Sequence, residues 1–109
     1  MSQVAALSES EFEAEVGAAA EPVIVDFWAP WCPPCRALGP VVDRVAKSFE
    51  GRVKVLKCDI DENPALAAQF GVQTIPNLTF FRGGQVVDQS IGYLNEAQLT
   101  AKIDGLLQS

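Results

Sequence analysis

At 109 residues, 49% of them apolar, the chain has the size of one domain with a single hydrophobic core, residues 1–109. Its formal charge of −6, with no basic cluster, argues against nucleic acid or an anionic membrane as partner. It contains no histidine, which removes Ser-His-Asp and Cys-His catalysis and any histidine-ligated metal.

Three cysteines are too few for a disulfide framework. No apolar run approaches the roughly 20 residues of a membrane span. Met1-Ser2-Gln3-Val4 has neither the basic nor the apolar region of a signal peptide. The expected setting is a reducing cytoplasm, where a C-x-x-C pair is more often redox-active or metal-binding than structural.

Residues 4–7 form a short strand candidate. Ser8-Glu9-Ser10-Glu11 then reads as a capping box, and Phe12 and Val16 give the predicted helix after it a narrow buried stripe. Gly17 and Pro22 mark its exit. Residues 23–29, Val-Ile-Val-Asp-Phe-Trp-Ala, are too continuously apolar for a half-exposed strand and predict a central one covered on both faces.

Leu38, Val41, Val42, Val45 and Phe49 recur at helical spacing, with Pro40 expected to kink that helix and Gly51 to end it. A strand is predicted at 53–58. Asn63-Pro64 starts the next helix, with Leu66 and Phe70 facing inward. Residues 77–82 and 85–91 are two strands joined by Gly83-Gly84, a hairpin signal. Asn95 to Gln98 repeats the capping logic ahead of Leu99, Ile103, Leu106 and Leu107. The order β-α-β-α-β-α-β-β-α is that of an α/β fold: a parallel half, then an antiparallel hairpin in the same mixed sheet.

Trp31-Cys32-Pro33-Pro34-Cys35 joins the central strand to the long helix. Two cysteines three apart at a helix start share a face, about 5–6 Å between Cα atoms, so a disulfide opens and closes there with little rearrangement. Cys32, at the helix N-terminus, has the setting that favours a thiolate. Cys35 lies one turn deeper, and burial opposes the loss of its proton. Asp26 is a carboxylate inside an apolar strand, costly unless protonated, paired or functional; the alternative is a side chain turned to solvent. Lys57, mid-strand in the neighbouring candidate, is either its charge partner or an exposed lysine. Cys58 reads as a small buried hydrophobe, with a regulatory or dimer-forming role only if exposed.

Taken together these residues resemble the thioredoxin family over essentially the whole chain. The motifs are Val25-Asp26-Phe27-Trp28-Ala29 running into Trp31-Cys32-x-Pro34-Cys35, with Pro40 beyond. Lys57, Asp59-Ile60-Asp61-Glu62-Asn63-Pro64, Phe70-Gly71-Val72, Ile75-Pro76, Gly83-Gly84 and Gly92 follow. The resemblance implies the thioredoxin fold, a mixed five-stranded sheet with helices on both faces and the dithiol exposed at the end of a central strand.

The activity implied is protein-disulfide reduction, with Cys32 as nucleophile, Cys35 as resolving thiol and Asp26 as a buried acid that shuttles the Cys35 proton. Pro76 resembles the family's cis-proline. Trp31, Pro34, Thr74, Ile75, Gly92 and Tyr93 are the implied docking surface, with the Ile75 backbone free to pair with an extended substrate segment. Trp28 is expected beneath the site as core packing. The implied partners are disulfide-containing proteins and a flavin-dependent thioredoxin reductase using NADPH. No cofactor is expected beyond the Cys32–Cys35 disulfide, and the chain is expected to be a monomer active in electron transport and redox homeostasis.

Position 33 is usually glycine in the family. Pro33 and Pro34 together remove two donors at the helix start, leaving the N–H groups of Cys35 and Arg36 nearest the thiolate. Proline also restricts the reduced loop, which changes the entropy gap between dithiol and disulfide. On these two grounds, fewer donors and a stiffer loop, the couple is expected to be somewhat less reducing than in a Pro33→Gly variant. Arg36 keeps the positive charge that lysine often supplies, and Asn77 and Tyr93 also depart from frequent choices, which bears on substrate preference. Three other functions are compatible with a C-x-x-C motif in such a domain. An oxidant or isomerase would need a higher potential and an export signal. An iron–sulfur or metal-binding dimer would use the C-x-x-C of two chains. A non-catalytic thioredoxin-fold subunit would use the docking surface alone.

Overall fold

The computed structural model describes residues 4–108. Residues 1–3, on which part of the localisation expectation rests, lie outside it. Strands β1 (Ala5–Ala6), β2 (Val23–Trp28), β3 (Lys54–Asp59), β4 (Asn77–Arg82) and β5 (Gln85–Ile91) form one sheet in the order β1-β3-β2-β4-β5. β2 and β1 run parallel to β3, while β4 is antiparallel to both β2 and β5. The helices are α1 (Pro33–Ser48), α2 (Pro64–Gln69) and α3 (Glu96–Gln108).

β2 is apolar on both sides because both sides are covered. Ile24 packs with Leu78, Phe80 and the buried faces of α1 and α3. Val23, Val25 and Phe27 turn the other way, onto Leu66 of α2, Val16, Leu56 and Phe81. The five apolar positions expected in the long helix are all buried, and α1 runs through Pro40 without a break. The hairpin turn places Gly83 and Gly84 at φ 59° and 77°, a backbone region that favours glycine. At the start of α3 the side chains of Asn95 and Gln98 bond reciprocally to each other's backbone N–H, at 2.8 and 2.9 Å.

Two local expectations change. The first predicted helix is a 3-10 turn over Glu9–Glu11 followed by a π-type turn over Glu13–Gly17. The Ala18 N–H closes that wide turn onto the Glu13 carbonyl at 2.8 Å. Lys54 draws the segment toward β3, its ammonium 2.9 Å from the Glu15 carbonyl and 3.0 Å from the Glu15 carboxylate. That carbonyl lies in the last turn, where a helix leaves its C=O groups for partners elsewhere. The second change is at Asn63, whose side chain does not cap α2. It accepts from the Glu9 N–H at 3.1 Å and donates to the Asp59 carbonyl at 3.2 Å, tying the N-terminal turn to β3.

Candidate active site

β2 ends at Trp28, and the chain turns through Ala29 and Trp31 into α1, with Cys32 as the residue before its first turn. Pro33 takes the first helical position, where a missing N–H costs nothing and φ is already suitable. Cys32 and Cys35 are disulfide-bonded, with Cα atoms 5.2 Å apart. The Cys35 N–H points at Cys32 Sγ from 3.3 Å, while the Arg36 N–H goes to the Cys32 carbonyl at 3.1 Å. A sulfur at this position faces an unpaired N–H and the positive end of a helix of 16 residues, both of which favour a thiolate once the pair is reduced.

The dithiol was expected to be exposed; instead Cys32 and Cys35 are 4% and 3% exposed. Ala29, Trp28, Ile60 and Ile75 pack around the two cysteines. Ile75-Pro76 is cis, as the resemblance implied, and the Ile75 carbonyl lies 3.9 Å from Cys32 Sγ. Trp28 is half-buried beneath the pair, with the Lys57 ammonium 4.4 Å from its ring centroid.

Asp26 is 1% exposed, and its Oδ1 finds no hydrogen-bond donor among the described residues. Burial pushes this carboxyl up to about 7; the Lys57 charge pulls it back and Asp43 of α1 pushes it further up. Lys57 stands opposite Asp26 in the β2–β3 register, so both project from the same face of the sheet, toward α1. Lys57 is half-buried, acts on Asp26 through its charge, and rests on Trp28. Cys58 is fully buried on the opposite face, and burial, with Asp59 and Glu9, pushes its thiol up to about 11.

Around the sulfurs the structure gathers three separate stretches. Trp31 is 62% exposed, its indole N–H donating to Asp61 Oδ2 at 2.7 Å. Pro33, Pro34, Arg36 and Thr74 are exposed, and Ile75 is half-buried. Gly92, at φ 96°, donates its N–H to the Pro76 carbonyl at 2.8 Å, which brings Tyr93 to the same rim. Sequence reasoning missed Ile60 against the disulfide, Asp61 holding Trp31, and Ile91, exposed at the end of β5. Ile60 and Asp61 lay within a motif already noted. Ile91 gave no signal, because only its pairing with Asn77 places it next to Pro76.

A helix-capping sulfur in a closed C-x-x-C ring, on an α/β sheet of this order, defines a thiol–disulfide oxidoreductase. The comparisons agree: the family model described as thioredoxin matches residues 3–105. Thioredoxin 1 of Nostoc sp. is 46% identical over 104 residues, 95% of this chain and 97% of that protein. The thioredoxin of Synechocystis sp. is 44% identical over 107 residues, 98% of this chain and all of that protein. That of Haemophilus influenzae is 44% identical over 99 residues, 91% and 92% of the two chains. The chain belongs to the thioredoxin family. It is a protein-disulfide reductase whose redox centre is its own disulfide, with disulfide-containing proteins as substrates and a reductase as partner.

Proposed function

We propose that Cys32 and Cys35 divide the exchange between them. In the reduced protein the Cys32 thiolate attacks one sulfur of a substrate disulfide; a mixed disulfide forms and the other substrate sulfur leaves as a thiolate. Cys35, deprotonated, then attacks Cys32 Sγ, which closes the ring and releases the second substrate thiolate. Two electrons pass from the dithiol to the substrate, and the substrate thiolates take up the two protons. Asp26 accepts the Cys35 proton and hands it on, with Lys57 setting how readily it does so. The observation that carries this reading is the Cys35 N–H on Cys32 Sγ, 3.3 Å away, which favours Cys32 as the sulfur that attacks.

Substrate lies across Trp31, Pro34, Thr74, Ile75, Gly92 and Tyr93, its extended backbone meeting that of Ile75. Arg36 adds the positive charge beside Cys32, Pro76 holds Ile75 toward the sulfur, and Pro33 tunes the couple. The protein acts as a single domain and a monomer in the cytoplasm, without a further cofactor, and a flavin-dependent reductase using NADPH restores its dithiol. No helix among the described residues is long and apolar enough to cross a membrane. A metal-bridged dimer has less support, since both sulfurs would first have to leave the packing of Ile60 and Ile75.

The test is reduction of insulin disulfides coupled to NADPH oxidation through a thioredoxin reductase. The wild type is expected to turn over, Cys32→Ser to be inactive, and Cys35→Ser to accumulate a mixed disulfide visible by mass spectrometry. A Cys32→Ser variant that instead traps the mixed disulfide, with Cys35→Ser inert toward substrate, would reverse the assignment of roles.

A further inference from the structure

Residues 70–76 link α2 to β4 and carry Thr74 and Ile75 to the rim. One chain of hydrogen bonds holds both ends of this segment. At its start the Phe70 carbonyl accepts from Gln89 Nε2 at 3.2 Å, and the same amide nitrogen donates to Thr79 Oγ1 at 3.1 Å. The Thr79 hydroxyl in turn donates to Asn77 Oδ1 at 2.9 Å, and Asn77 is the residue after Pro76. The directions are fixed: a carbonyl only accepts, so the amide nitrogen must face Phe70, which leaves the threonine proton for Asn77. Asn77 and Thr79 are 2% and 0% exposed, so neither exchanges these partners for water at little cost.

An irregularity in the hairpin makes the chain possible. From the turn, Arg82 faces Gln85 and Phe81 faces Val86; continued unbroken, that register would set Asp88 against Thr79. The register instead shifts between Phe80 and Phe81, Val87 is passed over, and Thr79 meets Gln89. Asp88 moves to the other face, opposite Phe80, and pairs with Lys102 of α3 at 3.0 Å.

We propose that Gln89, Thr79 and Asn77 are positioning residues for protein substrates: through Phe70 and Asn77 they clamp residues 70–76, so that the Ile75 carbonyl stays beside Cys32 Sγ for an incoming extended backbone. The proposal rests on the docking reading above. It assigns the clamp to substrates whose backbone flanks the disulfide, and gives it no part in attack on a small disulfide.

Gln89 is exposed on an edge strand, so its replacement leaves the core intact. Gln89→Met keeps the length and loses both donors; Gln89→Lys restores a donor. Second-order rate constants of the reduced proteins are compared for insulin and for a small aromatic disulfide. Gln89→Met is expected to slow insulin reduction about three- to tenfold, the worth of one or two net hydrogen bonds, with the small-disulfide rate unchanged. Gln89→Lys recovers the insulin rate, and Thr79→Val, which cuts the chain from inside, repeats the selective loss. Unchanged insulin rates in Gln89→Met, equal losses with both substrates, or a selective loss that neither of the other variants follows would each overturn the clamp. Failure of the wild type to reduce insulin would count against the docking reading instead.

Discussion

Asp26 is the residue whose chemistry the fold alters most. Its carboxyl titrates near 7 in the fold and near 3.8 when exposed, so the folded chain keeps a proton that the unfolded chain has already lost. The stability tied to that proton is complete below about pH 4 and falls by about 1.4 kcal/mol per pH unit until about pH 7, where the folded form ionises too. Asp26→Asn keeps the shape and removes the titration. Its urea midpoint is expected to exceed that of wild type at pH 8 and to converge with it near pH 4; equal midpoints at pH 8 would contradict the burial argument. That Asp26 was special could be read in the sequence, because a charge inside six apolar neighbours needs a reason. The influence of Asp43 could not, since it depends on how α1 lies over β2.

Among the elements, α1 shows where local and tertiary effects part. The sequence expectation for Pro33 joined missing donors to a stiffer loop, yet the donor that reaches Cys32 Sγ belongs to Cys35 and is present whatever residue occupies position 33. What remains is the freedom of the opened ring. Proline removes conformations from the dithiol form that closure would forbid, so the disulfide forms at a smaller entropic cost. The sign therefore reverses: Pro33→Gly is expected to be less reducing than wild type by about 10–20 mV, measured by equilibration with glutathione. A Gly variant that is more reducing would overturn the loop-entropy argument. α1 and α3 also each contain an interior glycine, Gly39 and Gly105, at ordinary negative φ, where an added Cβ would meet nothing within 4 Å. Gly39→Ala and Gly105→Ala are each expected to raise stability by about 0.5–1 kcal/mol, read from urea unfolding. Gly84→Ala should do the opposite, since its Cβ would sit 3.2 Å from the Gly17 backbone at φ 77°.

Across the whole molecule, what was legible was what apolar spacing and turn chemistry encode: the two-sided β2, the buried stripe of α1, and a hairpin whose strand bounds match those expected. What was not legible depends on distant partners. The first helix is two irregular turns, and the second is tied by its Glu15 carbonyl to Lys54 on another element. Local physics favours a trans Ile75-Pro76 bond, and only the resemblance pointed to cis. Gln89 looked like any polar strand residue until the shift at Phe80/Phe81 set it against Thr79. That shift has a second consequence, for how molecules meet one another. β5 is the longer of the sheet's two edge strands and exposes Val86, Val87 and Ile91, the kind of strand on which another chain can add itself and start a fibre. The passed-over Val87 bends that edge, and Asp88 puts a charge in the middle of it. Asp88→Val should therefore leave the active site intact while raising light scattering of concentrated solutions; a variant that stays as clear as wild type would locate the protection in the bend alone.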